Sequence, residues 1–189
     1  MSKASGCTCA AITFIILGGL ALLIAWLADK MKSPTFTIDQ VTVNGYNFST
    51  TTNYLNATFT VAVRSHNRDS KYKIKYHVVA VSVYHTSDYA LGFETLGPYS
   101  QGHGDDLVFS ARPMARDVPM TDPDVVRSIR EENRAGQVRV EVRVRASVRY
   151  EVKGWKHKHY TLKVICANLV INLASMKTNQ STNCDVDRF

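Results

Sequence analysis

Three Asn-x-Ser/Thr triplets, four cysteines and six histidines carry most of the chemistry that this 189-residue sequence could perform. Asn47-Phe48-Ser49, Asn56-Ala57-Thr58 and Asn179-Gln180-Ser181 fit the acceptor pattern for an N-linked glycan, a modification of surfaces that enter the secretory route. Cys166 and Cys184 are expected to pair as a disulfide if their segment lies outside the cytosol, where thiols stay oxidised. Cys7 and Cys9 stand beside an apolar run; with a cytosolic N-terminus they are candidates for reversible acylation.

Catalytic constellations are harder to find. His157-x-His159 would place two imidazoles on one face of a strand, but no Cys, Asp or His lies beside them at a ligand spacing, so no metal is expected. A Cys–His nucleophile is equally weak, because Cys166 has a bridge partner in Cys184 and a bridged sulfur cannot attack. Gly102-His103-Gly104-Asp105 lacks the lysine and the following helix of a phosphate loop and reads as a turn. Without a Gly-x-Ser-x-Gly elbow or a His-Glu-x-x-His pair, the sequence points to a non-enzymatic protein that needs no cofactor.

The elements that would position these residues begin with residues 10–28, AAITFIILGGLALLIAWLA, nineteen positions without a charge. As a helix this run would rise roughly 28 Å, close to the thickness of a bilayer's hydrocarbon core. It predicts a single transmembrane helix over 10–28, after a short tail (1–9) and before a linker (29–36) and one domain (37–189). A cleaved signal peptide would have a shorter core and an Ala-x-Ala-like site, which Ala25-Trp26-Leu27-Ala28 does not supply. Lys3 on one flank against Lys30 and Lys32 on the other leaves the orientation open. The sequons favour a domain outside the cytosol.

Within 37–189 the dominant signal is strict alternation, the period of a half-buried strand. From Gln137 to Val152 the even positions are Val138, Val140, Val142, Val144, Ala146, Val148, Tyr150 and Val152, while the odd ones are mostly charged. Leu55 to Val63 repeats the pattern, with Asn56, Thr58 and Thr60 outward. Between Tyr72 and Val83 the apolar phase slips from Ile74, Tyr76 and Val78 to Val79, Val81 and Val83, as a bulge would make it do. Asp122 as cap, Pro123 in the first turn, apolar Val125, Val126 and Ile129, and Gly136 beyond the end predict one short helix. Short strands, turns and one helix predict a mainly β fold, a β-sandwich.

The net charge of +7, from 23 Lys and Arg against 16 Asp and Glu, favours anionic surfaces. Arg139, Arg143, Arg145 and Arg149 gather part of it on one strand face. No aromatic residue interleaves with them on that face, so nucleic acid is not expected; an acidic partner, anionic lipid or a cell-wall polyanion fits better.

Several motifs occur in a familiar order. Asn67 ends Ser65-His66-Asn67, Val81-Ser82-Val83-Tyr84 follows, and Gly97-Pro98-Tyr99-Ser100-Gln101-Gly102-His103 retains Pro98, Gln101, Gly102 and His103 of a Pro-Pro-Phe-Tyr-Gln-Gly-His turn. With Gly154-Trp155 and Tyr160-Thr161-Leu162-Lys163-Val164 before Cys166, the chain resembles the plant late embryogenesis abundant hydroxyproline-rich glycoprotein family, in particular its harpin-induced and non-race-specific disease resistance-like members. The resemblance implies a fibronectin-like β-sandwich, a place at the plasma membrane with the domain outside the cytosol, and a part in defence or stress responses through membrane or immune-signalling partners. Binding or transfer of a lipid or other hydrophobe by the sandwich is the alternative.

Overall fold

The structure, a computed structural model, describes residues 12–23, 32–85, 89–152 and 158–189. The chain divides into two units, Met1–Lys32 and Ser33–Phe189.

In the first unit, residues 12–23 form a helix, α1. Twelve residues rise about 18 Å, against roughly 30 Å of hydrocarbon, and no helix among the described residues is long and apolar enough to cross a membrane. The transmembrane helix expected over 10–28 is therefore corrected. Residues 10, 11 and 24–28 of the expected span lie outside the described residues. Cys7, Cys9 and His157 lie outside the described residues.

The second unit contains β1 (Thr35–Phe48), β2 (Tyr54–His66), β3 (Lys73–His85), β4 (Tyr89–Leu96), β5 (Tyr99–Gln101), β6 (Asp106–Ala111) and β7 (Met114–Pro119). Helix α2 (Pro123–Arg134) precedes β8 (Gln137–Glu151), β9 (Lys158–Asn172), β10 (Lys177–Thr178), β11 (Thr182–Asn183) and β12 (Asp185–Arg188). All the strands belong to one hydrogen-bonded sheet, ordered β4-β3-β8-β9-β10-β1-β2-β6, with β5 on β3, β7 on β2, β11 on β1 and β12 on β9. The domain is mainly β with one short helix, as expected, but its described strands form one continuous hydrogen-bonded sheet where a fibronectin-like sandwich would have two. The polar C-terminal segment makes the difference: β10 pairs with both β9 and β1, which joins what would have been two separate sheets. Lys177 to Asn183 has no apolar residue and hence no period-2 signal, so its backbone pairing leaves no trace in the hydropathy pattern.

The sheet curls so that its two halves face each other across a dry core. Tyr76 of β3 packs edge-on against Phe109 of β6, ring centroids 5.2 Å apart, and Phe36, Phe59, Leu55 and Ile171 fill the space around them. The long alternating strand is β8, with its even positions from Val138 to Tyr150 buried. The phase slip in β3 is a bulge between Tyr76 and Val78 in the register with β8, and it leaves Val78 on the outside, 47% exposed, rather than inward as its spacing suggested. Helix α2 starts as expected: the Asp122 carboxylate accepts the Asp124 N–H at 2.8 Å, and Val125, Val126 and Ile129 are buried. Tyr46 of β1 donates to Asn133 of α2 at 2.9 Å, and burial pushes its phenol up to about 12.

Where the curled sheet meets itself, no ladder joins β4 to β6 or β7 among the described residues. Side chains stitch this seam instead. The Tyr89 hydroxyl donates to the Pro119 carbonyl, and the Glu94 carboxylate accepts the Arg112 N–H. Midway, Gly92 lies so close to the other edge that an added Cβ would sit 2.5 Å from the Met114 carbonyl oxygen. The Met114 atoms it would meet are all backbone, so Gly92→Ala is expected to cost about 1–3 kcal/mol through forced separation of the edges. Urea unfolding checks this, and an unchanged midpoint would show that the seam yields freely.

Candidate functional site

The basic face predicted on β8 is real and extends over three strands. Register places Ala80 of β3, Arg145 of β8 and Lys163 of β9 in one row, and Ser82, Arg143 and Ile165 in the next. Alternation sends all six outward, since Val144 and Val164 are buried between them. The small side chains of Ala80 and Ser82 leave a hollow of about 610 Å³ beside the cations. Arg143 is held: its Nε donates to Glu141 at 2.5 Å, and its guanidinium lies 4.2 Å from the centre of the Tyr84 ring. Arg145 forms no ion pair among the described residues, and Lys163 approaches only the Phe189 ring, at 5.9 Å. Asp187 of β12 is the direct cross-strand partner of Lys163, and Asp185 that of Ile165, so carboxylates border the basic stripe beyond β9.

Two parts of this surface escaped the sequence. Lys163 joins the stripe because β9 pairs beside β8, and Tyr84 supplies from β3 the aromatic that the outer face of β8 lacks. Neither adjacency is written in local periodicity. His159 stacks on His77, the bulged residue of β3, at 5.8 Å. No group of three or more metal-ligating side chains occurs among the described residues.

The motif residues shared with the family have another place. Asn67 and Gln101 are buried, at 0% and 1% exposure, and together they close a polar knot. The Asn67 amide donates to the carbonyls of Tyr72 (2.8 Å) and Gly102 (2.6 Å), while its oxygen accepts the Asp69 N–H at 3.1 Å. The Gln101 amide donates to the carbonyls of Ser65 and Asp105, each at 2.7 Å, and its oxygen accepts the Tyr76 hydroxyl at 2.9 Å. Desolvation pushes the Tyr76 phenol up, so it stays a donor. Asp69, in turn, accepts the Lys71 N–H at 2.8 Å. This arrangement fixes two loops against each other. Pro98 follows a cis peptide bond and is exposed, as is His103; neither joins the knot.

The three sequons differ in setting. Asn47 and Asn56 are direct cross-strand partners in the β1–β2 ladder. Asn56 is tied in a reciprocal pair, its amide donating to the Asp117 carboxylate and its oxygen accepting the Asp117 N–H, both at 2.9 Å. Asn179 is exposed on the bend between β10 and β11. Nearby, Cys166 and Cys184 are joined as a disulfide, tying the chain just before β12 to β9.

Curled sheet, disulfide clamp and basic outer face define a mainly β protein. No protein-family model matches the chain. Its sequence does match proteins of Arabidopsis thaliana: NDR1/HIN1-like protein 12 is 29% identical over 163 residues, covering 86% of this chain and 76% of its own length. NDR1/HIN1-like protein 3 is 24% identical over 185 residues (93% and 77%), and an uncharacterized protein is 24% identical over 170 residues (88% and 76%). The chain is thus a divergent homologue of several NDR1/HIN1-like proteins. A solved structure of an Archaeoglobus fulgidus protein aligns with 69% of this chain and 97% of its own at 7% identity, with a TM-score of 0.33, too slight a likeness to bear on function.

Proposed function

We propose that this chain is a non-enzymatic plant protein that serves defence or stress responses by holding an acidic segment of a partner protein against the outer face of β3, β8 and β9. The single observation behind this reading is the pair Arg145 and Lys163, adjacent in register and beside a hollow floored by Ala80 and Ser82. Exposed cations attract anions at long range and set the rate and register of docking, even with Asp187 opposite Lys163 across the β9–β12 ladder. The names of its relatives support the setting in defence and stress. The disulfide supports a compartment outside the cytosol. A hydrophobe held inside the sheet draws less support, because Tyr76, Tyr150, Phe36, Phe59 and Phe109 occupy that interior.

The test is binding of a fluorescent Glu-rich peptide to the full chain, with phosphatidylserine vesicles and polygalacturonate as comparison arms. Arg145→Glu with Lys163→Glu is expected to weaken the peptide at least about tenfold, from two exposed contacts reversed in sign at roughly 0.5–1 kcal/mol each way. Affinity of the parent protein should fall steeply with salt. Equal binding by parent and double variant, or binding to vesicles or polyuronate but not to peptide, would overturn the acidic-protein reading.

A further inference from the structure

A second hollow, of about 330 Å³, lies where the C-terminal end of α2 meets the bulge of β9 and the bend between β10 and β11. It shares no residue with the basic hollow, and its chemistry is the opposite. Not one charged residue lines it, although 21% of the chain is Asp, Glu, Lys or Arg. Five carboxamides do: Gln137, Asn168, Asn172, Asn179 and Gln180. Four of these, all but Asn172, make no side-chain hydrogen bond to protein among the described residues. Asn172 uses only its oxygen, which accepts from Ala174 (2.8 Å) and Ser175 (3.2 Å) and leaves its two N–H donors over. Asn168 stands at φ 59°, in the bulge where β8 and β9 change register. Bulges turn a side chain away from the alternation of its strand. Val170, 40% exposed, adds an apolar patch, while Leu169 beside it is buried.

We infer that this hollow is a binding site for a neutral saccharide. A carboxamide offers both donors and an acceptor, which is what a ring of hydroxyl groups requires, and an apolar patch suits the C–H face of a pyranose. An anion would find no cation in the lining itself; Lys177 and Arg139 stand one strand away, opposite Asn172 and Val170. An apolar ligand would strand the amides without partners, at a cost in each case. The volume is at the lower end of small-molecule sites, about 300–1,000 Å³, and suits one or two sugar rings rather than a long chain.

The experiment uses the full chain secreted into a bacterial periplasm, where the disulfide forms and Asn179 carries no glycan. Side-chain carboxamide resonances are followed by NMR during titration with cellotetraose, with chitotetraose, and with trigalacturonate as the charged counterpart. Saturable shifts of Gln137, Asn168 and Gln180 with either neutral sugar, and none with trigalacturonate, are expected. Asn168→Gly, which keeps the positive φ, combined with Gln180→Ala should weaken binding at least about tenfold through the loss of two hydrogen-bonding groups. The Arg145→Glu, Lys163→Glu protein should bind the sugar unchanged, so failure here and failure of the acidic-partner reading are separate results. Gln137→Ala alone provides a second variant should the double substitution disturb folding. No shift with either neutral sugar, equal shifts with trigalacturonate, or binding that survives the folded variants would overturn the assignment.

Discussion

Gln101→Leu is expected to destabilise the domain by about 3–4 kcal/mol, a large effect for one residue of a three-residue strand. The size follows from what is left behind. Leucine fills a similar volume but removes both donors to the Ser65 and Asp105 carbonyls and the acceptor for Tyr76. Ser65 is fully buried and Tyr76 is 1% exposed, so neither can turn to water in compensation. The Tyr76 hydroxyl keeps only Ser65 Oγ, 2.9 Å away. Each stranded buried group costs about 1–3 kcal/mol, which exceeds the modest net worth of a satisfied hydrogen bond. Urea unfolding of the parent and variant measures the difference. A loss below about 1 kcal/mol would mean that water enters the knot, and the shared motif would then need a reading other than a structural one.

Cys184→Ser is the second substitution expected to act strongly. The bridge joins residues 18 apart, and closing a loop of that size restricts the unfolded chain by about 3 kcal/mol in the chain-entropy account. The folded chain also depends on the bridge locally. From Lys177 onward the tail is held by short two-stranded pairings: β10 to β9 and β1, β11 to β1, and β12 to β9. It brings few buried side chains of its own, Thr178 being one. Without the bridge, a segment with so little apolar surface has mainly backbone bonds to hold it in place. The melting temperature should therefore fall in the variant, and equally in the parent after dithiothreitol. Thiol labelling of the untreated protein should miss both cysteines. Ready labelling with no change in melting would place this domain in a reducing compartment and remove that part of the proposed function.

The residues that spoke clearly in the sequence are those whose neighbours along the chain settle their environment. Val138 to Tyr150 alternate because one face of β8 is dry, and Asp122-Pro123 marks the start of α2 because capping is a local matter. The site was legible by halves for the same reason. Arg143 and Arg145 could be read from one strand, whereas Lys163 and Tyr84 became neighbours only through pairing with β9 and β3. Asn67 and Gln101 could be named as motif residues, yet their role rests on Tyr76 and on loop carbonyls distant in the chain. The N-terminal run shows the opposite error. Its composition was read as a single span over 10–28, where the described helix covers 12–23.

The unladdered line between β4 and β7 has a dynamic consequence. Sheets open most easily where no backbone bonds must break, and here the two edges are held by Tyr89, Glu94 and close packing at Gly92 rather than by a row of amides. Local opening should start there, so the edge-facing amides of β4 should exchange with deuterium far sooner than those of β8, which is bonded on both sides. An opened cuff would expose two unpaired strand edges together with Phe93 and Met114, both already well exposed. The few side chains that span the line thus act as a fastening against self-association, and their loss would be felt first as aggregation under mild stress, before any fall in global stability.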